Sequence, residues 1–146
     1  MKYDMTPFMD GCAALGLETD NEQLEKFDLY LSLLLEWNEK FNLTAITDPK
    51  EVMIQHFLDS ISVLIPGQIA GGAKIMDMGS GAGFPGIPVK IMLPEVSMTL
   101  VDSVNKKVGF LKEVISQLDL NGIEALHARA EDLAKDKGRR EAYDIV

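Results

Sequence analysis

Apolar residues recur at helical spacing through the first 70 residues of the chain. Thr6-Pro7 is typical of an N-cap followed by proline at the first helical position, and Gly16 is typical of the residue just beyond a helix end. These and similar signals predict three helices: about 7–15, from a capping box at 19–22 to about Asn38, and from Asp48-Pro49 until Pro66. Residues 1–70 are therefore predicted to form an α-helical region.

Beyond a glycine-containing loop, short apolar runs alternate with helical stretches, which indicates βαβ units around a parallel sheet. Strands are predicted at 74–78, 97–101 and 123–127, with a fourth beginning at 143–146. Helices are predicted at about 87–93 and 105–118, and a short one at 130–134. Residues 71–146 are thus predicted to be the amino-terminal part of a Rossmann-like α/β domain.

The sequence stops inside the predicted fourth strand. A parallel sheet that ended there would have an unpaired edge and a half-covered face, which globular proteins avoid. We therefore expect these residues to be part of a longer chain, in which the sheet is completed.

Composition narrows the classes of protein that fit. Apolar residues make up 47% and charged residues 25%, as in ordinary soluble domains. The net charge of −9 disfavours attraction of nucleic acid to the whole surface, so any such partner would meet a local patch. Neither a signal peptide nor a membrane-spanning run is evident, which predicts a cytoplasmic protein without a membrane partner. The single cysteine, Cys12, is interpreted as a core residue in a reducing compartment.

The densest chemical signal is a glycine-rich segment at residues 77–86, called the glycine loop below. Gly81-x-Gly83-x-x-Gly86 fits the dinucleotide fingerprint, whereas Asp77-x-Gly79-x-Gly81-x-Gly83 resembles motif I of S-adenosylmethionine-dependent methyltransferases. The second reading is favoured, because extra loop residues precede the dinucleotide pattern and the prolines at 85 and 88 are expected to disturb the helix start that a pyrophosphate needs.

Asp102 follows the second predicted strand, about 20 residues beyond the glycine loop. An acidic side chain there can accept hydrogen bonds from the ribose hydroxyls of a nucleotide cofactor. The alternative is that Asp102 only caps the next helix.

Five segments, in this order and spacing, resemble the glucose-inhibited division protein B family: Trp37-Asn38-x-Lys40-x-Asn42-Leu43-Thr44, His56-x-x-Asp59-Ser60, the glycine loop, Val101-Asp102-Ser103 and Arg129-Ala130-Glu131. Members are small-subunit ribosomal RNA guanine-N7 methyltransferases. The resemblance implies S-adenosylmethionine as cofactor and 16S ribosomal RNA or the small ribosomal subunit as partner. It also implies a Ser-Arg-Ala segment after the fourth strand, beyond these residues.

The same resemblance assigns cofactor-binding residues. Gly79 and Phe84 correspond to loop positions that contact S-adenosylmethionine, and Ala130 and Glu131 to positions that border its adenine. Guanine N7 carries no proton, so methyl transfer to it needs alignment rather than a base, and no catalytic acid or base is predicted. A monomer is expected.

Other candidate residues have two readings each. His56 and Asp59, one helical turn apart, either line the substrate side of the pocket or form a hydrogen-bonded pair that ties the helical region to the glycine loop. They are too few for a metal site, and none is predicted. Trp37 is interpreted as a packing residue. The basic groups Lys106-Lys107 and 135–140 either contact RNA or form solvated faces.

Two other functions stay open on the sequence alone. One is an NAD-dependent oxidoreductase that uses the dinucleotide pattern, and the other is a non-catalytic RNA-binding module.

Overall fold

The computed structural model describes residues 1–64, 72–129 and 131–132. Its regular elements in chain order are helices α1 (Thr6–Ala14), α2 (Asn21–Asn38) and α3 (Pro49–Val52), a π-helical turn (Met53–Leu58), α4 (Asp59–Ile61), a 3₁₀ turn (Ser62–Leu64), strand β1 (Lys74–Met78), α5 (Gly86–Met92), β2 (Ser97–Asp102), α6 (Asn105–Gln117) and β3 (Ile123–His127).

The three strands form a parallel sheet in the order β1-β2-β3. The central strand is buried along its whole length after Ser97, as expected of a strand with neighbours on both sides and helices against the sheet. The predicted α/β fold with a parallel sheet behind a helical amino-terminal region is confirmed, and the strand bounds agree with the predicted ones except that β2 includes Asp102.

Two predicted helix starts were wrong by one residue. Thr6 is the first residue of α1 rather than its N-cap, because the Asp4 carboxylate already accepts the Thr6 N–H at 3.0 Å. The capping box of α2 is formed by Asp20 and Gln23, which exchange side-chain to backbone hydrogen bonds, and not by residues 19 and 22.

The third predicted helix is not regular. It begins as expected with Asp48 as N-cap, but after one turn of α-helix it widens into the π-helical turn, returns to α-helix in α4 and continues as the 3₁₀ turn Ser62–Leu64. π-helical turns within helices are rare and are found frequently at functional sites.

One continuous core joins the helical region to the sheet. α2 contacts both α5 and α6, and α4 contacts α5. At its centre lie the aromatic rings of Phe8, Phe27, Tyr30 and Phe57, all fully buried. Cys12 is buried in this core, as predicted, and burial raises the pKa of its thiol to about 11. The helices are thereby fixed against the glycine loop.

Several predictions lie outside the described residues: the ends of the third helix and of the loop after it, the short helix at 130–134 apart from residues 131–132, the fourth strand and the basic group at 135–140. Within the described part of the chain, no helix is long and apolar enough to cross a membrane.

Candidate functional site

The glycine loop leaves the carboxyl end of β1 and turns over the neighbouring strand. The backbone N–H groups of Gly79 and Ser80 both donate to the carbonyl of Val101 in β2, at 2.8 and 3.0 Å. Ligands of open parallel sheets bind outside the carboxyl ends of the strands. The loop therefore lies where such a fold binds nucleotides.

The first glycines of the loop face open space. Gly79 and Gly81 have φ of +73° and +57°, which other residues adopt only with strain. Among the described residues, a Cβ built on Gly79 would meet no atom within 4 Å, and one on Gly81 would meet only a backbone oxygen at 4.0 Å. This part of the backbone is thus open to close approach by a ligand.

The later glycines are packed against the core. A Cβ on Gly83 would lie 2.6 Å from the Tyr30 hydroxyl and 2.7 Å from Ile87, and one on Gly86 would lie 2.4 Å from Leu100. Only hydrogen fits at these two positions. Here glycine lets the loop lie against α2 and β2, and α5 starts at Gly86.

The two prolines do not disturb this helix start, contrary to expectation. Pro85 is the N-cap of α5 and Pro88 lies in its first turn, where no intrahelical N–H bond is required. The Phe84-Pro85 peptide bond is cis.

Asp77, at the end of β1, is an internal support of the loop. Its Oδ2 accepts the Gly86 N–H at 3.0 Å, and the Ser80 hydroxyl donates to its backbone carbonyl at 2.9 Å. Burial, and to a smaller extent the negative charge of Asp102, raise the pKa of Asp77 to about 6, even though the hydrogen bonds from Gly86 and Ser80 oppose the shift.

Asp102 joins the end of β2 to the same loop. Its Oδ2 accepts the Gly81 N–H at 2.9 Å, and its Oδ1 accepts the Val104 N–H at 2.8 Å. The reading of Asp102 as the cap of the next helix was wrong, because the N-cap of α6 is Val104. A carboxylate has about four acceptor positions, so two remain for ligand hydroxyls.

Tyr30 of α2 supports the loop from below. Its hydroxyl donates to the carbonyl of Ala82 at 2.5 Å, and its side chain is fully buried. Burial, followed by the nearby Asp77 charge, raises the pKa of Tyr30 well above its ordinary value, so the phenol stays a hydrogen-bond donor at neutral pH.

Phe84, between the two packed glycines of the loop, is half-buried, and its ring stacks on that of His56, with centroids 4.5 Å apart and planes at 9°. His56 Nε2 lies 2.8 Å from the Thr44 hydroxyl. The predicted His56–Asp59 pair is therefore wrong: His56 does tie the helical region to the glycine loop, but by stacking, and its hydrogen bond goes to Thr44. Burial lowers the pKa of His56, against a smaller upward effect of Asp59.

Of the two predicted adenine-bordering residues, only Glu131 is among the described residues, where its side chain is exposed, and Ala130 lies outside them. Ala128, directly after β3, is held beside the end of β2, because its N–H donates to the Asp102 carbonyl at 3.1 Å.

The remaining described candidates lie where α2 and the segment after it meet α6. Trp37 packs edge-on against Phe110 and is half-buried, in line with the packing role predicted for it. The Lys106 ammonium lies 5.0 Å from the centre of the Phe41 ring. No group of three potential metal ligands occurs among residues 1–64, 72–129 and 131–132.

Comparison with known proteins decides the family. The sequence model described as "GidB: rRNA small subunit methyltransferase G" matches residues 23–146. The chain belongs to the GidB family.

Curated GidB relatives named "Ribosomal RNA small subunit methyltransferase G" agree with this assignment. The protein of Lachnoclostridium phytofermentans is 49% identical over 98% of this chain and 59% of its own length. The protein of Caldanaerobacter subterraneus is 50% identical over 94% of this chain and 58% of its own length. The protein of Streptococcus pneumoniae is 49% identical over 95% of this chain and 59% of its own length. This chain thus spans less than two thirds of the length of these relatives.

Among solved structures, a Plasmodium falciparum chain described as a protein-L-isoaspartate O-methyltransferase, in complex with S-adenosyl-L-homocysteine, aligns with a TM-score of 0.48. It is 16% identical, over 77% of this chain and 70% of that one.

Sequence reasoning missed the roles of three residues that shape the site: Tyr30, Thr44 and the half-buried Asp77 carboxylate. Tyr30 lies among apolar positions of an amphipathic helix, and nothing local distinguishes it from other core residues. In the sequence, Asp77 was interpreted only as the first residue of the glycine-rich motif. Its apolar neighbours Ile75 and Met76 were the available sign that a charge at that position would be buried.

Proposed function

We propose that the whole protein transfers a methyl group from S-adenosylmethionine to N7 of a guanine in 16S ribosomal RNA. The observation that carries the proposal is the open backbone at Gly79 and Gly81 beside the Asp102 carboxylate, in a chain that belongs to the GidB family. We further propose that residues 1–70 act as a helical support and that the methyltransferase domain begins at 71.

The residues present fit such a cofactor. The space in front of Gly79, which a Cβ would enter without contact, suits a ligand that lies against bare backbone. Asp102 keeps acceptor positions for a ribose diol after its two backbone hydrogen bonds. Gly79 and Phe84 are proposed to contact the cofactor from the loop, and Ala130 and Glu131 to border its adenine.

Methyl transfer to guanine N7 requires no acid or base side chain. Bound S-adenosylmethionine supplies a sulfonium methyl group, and the product pair is S-adenosylhomocysteine and a 7-methylguanine that carries the positive charge. The N7 lone pair attacks directly, so no proton has to be removed. The role left to this chain is to fix the cofactor and exclude misaligned geometries.

Titration calorimetry on the intact protein tests the cofactor, with S-adenosylmethionine and NAD(H) measured in parallel. We expect binding of the former, weakened about tenfold in Asp102→Asn because a charge-assisted hydrogen bond to the ribose is lost. Asp10→Asn, which changes an exposed carboxylate of α1, is the matched control. Tighter binding of NAD(H) would favour the oxidoreductase instead.

Transfer of labelled methyl groups to deproteinised 16S ribosomal RNA and to intact small subunits tests the reaction. Labelled 7-methylguanine in the digested RNA is the expected product. Cofactor binding without transfer to either substrate would favour a non-catalytic RNA-binding module.

Assignment to the cytoplasm and to a monomeric state forms part of the same proposal. Fractionation of cells and analytical ultracentrifugation check them, and a stable dimer would contradict the second.

A further inference from the structure

His56 covers one face of the Phe84 ring. The two rings are nearly parallel, at 9°, with their centroids 4.5 Å apart. Phe84 is also bordered by Phe57 and Tyr30, whose ring centroids lie at 6.0 and 5.8 Å. The loop's aromatic residue therefore lies between the core and a single imidazole ring of the helical region.

A chain of hydrogen bonds fixes the imidazole. The Asn38 side-chain oxygen accepts the N–H groups of Leu43 and Thr44 at 2.8 and 2.9 Å, which holds the segment after α2. The Thr44 hydroxyl in turn accepts the Ile46 N–H at 3.2 Å and lies 2.8 Å from His56 Nε2. His56 thus links this segment to the glycine loop.

The hydrogen bond between Thr44 and His56 is compatible with a neutral imidazole. The Thr44 hydroxyl has one proton and two acceptor positions, and the Ile46 N–H occupies one of the acceptor positions, so the hydroxyl can pair with His56 Nε2 in either neutral tautomer. Burial lowers the pKa of the half-buried His56, which favours the neutral ring.

The π-helical turn provides the geometry. His56 and Phe57 are consecutive, yet both contact Phe84 while Phe57 stays fully buried. The wide turn brings neighbouring side chains to one side of the helix, and such turns are frequent at functional sites.

From these contacts we propose that His56 is a positioning residue for the cofactor: oriented by Thr44, it holds Phe84 and with it the glycine loop in the shape that binds S-adenosylmethionine. This inference rests on the proposed function, because it assumes that Phe84 borders the cofactor. His56 acts through Phe84 and takes no part in the methyl transfer.

Three variants of the intact protein separate the stack from the hydrogen bond. His56→Leu removes both, His56→Phe keeps a ring for stacking, and Thr44→Val removes the hydrogen bond from the other side. We expect the dissociation constant of S-adenosylmethionine to rise about thirtyfold in the first and about fivefold in each of the others, from the loss of a hydrogen bond and of an aromatic contact. The double variant Thr44→Val with His56→Phe should be no weaker than either single one. Gln55→Ala, an exposed neighbour in the same π-helical turn, is the control and should bind like the unsubstituted protein.

Steady-state kinetics with RNA distinguish a positioning role of His56 from a purely structural one. We expect KM for S-adenosylmethionine to rise with kcat and the KM for RNA unchanged, because only the cofactor loop is displaced. A fall in kcat and in calorimetric stoichiometry with an unchanged KM would mean partial unfolding and would overturn the proposal. Binding by the unsubstituted protein that no variant weakens would overturn this proposal alone. Absence of binding by the unsubstituted protein would overturn the proposed function as well.

Discussion

The two halves of the glycine loop use the same residue type for opposite reasons. In the outer half, residues 79–81, glycine provides positive φ and leaves the space in front of the backbone empty. In the inner half, residues 83–86, glycine lets the backbone press against Tyr30, Leu100 and Ile87. The outer half therefore leaves space beside the backbone, where we propose that the cofactor binds, and the inner half packs against the core. Substitutions in the two halves should accordingly fail in different assays.

Gly83→Ala should have the largest effect on stability. The new methyl group would lie under 3.0 Å from Tyr30 and Ile87, at a φ of +100° that alanine adopts only with strain. We expect the free energy of unfolding to fall by about 4 kcal/mol, the sum of overpacking and backbone strain. Urea denaturation measures it. Gly109→Ala on α6, where a Cβ meets no atom of the described chain within 4 Å, is the control and should raise stability slightly. An equal, small effect at both positions would contradict the packing role of the inner half.

Asp77→Asn should remove a pH dependence of the free energy of unfolding that arises from the carboxylate hydrogen-bonded to Gly86 in the inner half. The pKa of Asp77 is raised from 3.8 to about 6 by burial, so the folded state retains a proton that the unfolded state loses first. The contribution of Asp77 to the free energy of unfolding should therefore be fully present below about pH 4, decrease by about 3 kcal/mol as pH rises from about 4 to 6, and stay constant above that.

The amide of Asp77→Asn can still accept the Gly86 N–H but cannot ionise. Urea midpoints between pH 4 and 7.5, compared between the two proteins, isolate this contribution from other titrating groups. Parallel curves would show that Asp77 ionises in the folded state as it does in the unfolded one.

Tyr30→Phe tests whether the core holds the loop through a hydrogen bond as well as through packing. Removal of the hydroxyl leaves the buried Ala82 carbonyl without its donor, at a cost of about 2 kcal/mol in unfolding free energy. Tyr3→Phe is the control, because the Tyr3 hydroxyl makes no hydrogen bond within the described residues. Equal melting temperatures of the two variants would show that the hydrogen bond from Tyr30 to Ala82 does not stabilise the protein.

Gly79→Ala should have the smallest effect on stability and a clear effect on the ligand. We expect a loss of about 1 kcal/mol from positive φ, with S-adenosylmethionine bound about tenfold more weakly because a methyl group enters the open space. Gly16→Ala has nearly the same φ, +75°, and equally open surroundings beyond α1, so it matches the strain without the ligand. If both variants bound the cofactor like the unsubstituted protein, the outer half would not be the binding surface.

The described strands and most helix ends could be predicted, since they depend on local pattern. Alternating apolar runs placed β1 and β3 correctly, and Gly16 has the positive φ expected beyond a helix end. Errors occurred where the sequence allows two neighbouring capping boxes. The box formed by Asp20 and Gln23 has the same spacing as the predicted one at residues 19 and 22, but begins one residue later. Only the folded chain decides between such equivalent registers.

Contacts between distant residues could not be predicted. Tyr30 reaches Ala82 across 52 positions, and a regular helix was expected where the π-helical turn brings His56 to Phe84. Asp102 was correctly predicted at the carboxyl end of the second strand. Its hydrogen bond with the Gly81 N–H, however, depends on how β1 and β2 lie side by side.

By itself, the sequence determined the parallel α/β order, the position of the glycine loop at a strand end and the family, because periodicity, turn residues and motif spacing are local properties. Which glycines face open space and which face the core was decided only by the tertiary structure. All of them look alike in sequence, and the difference arises from what packing places in front of each missing Cβ.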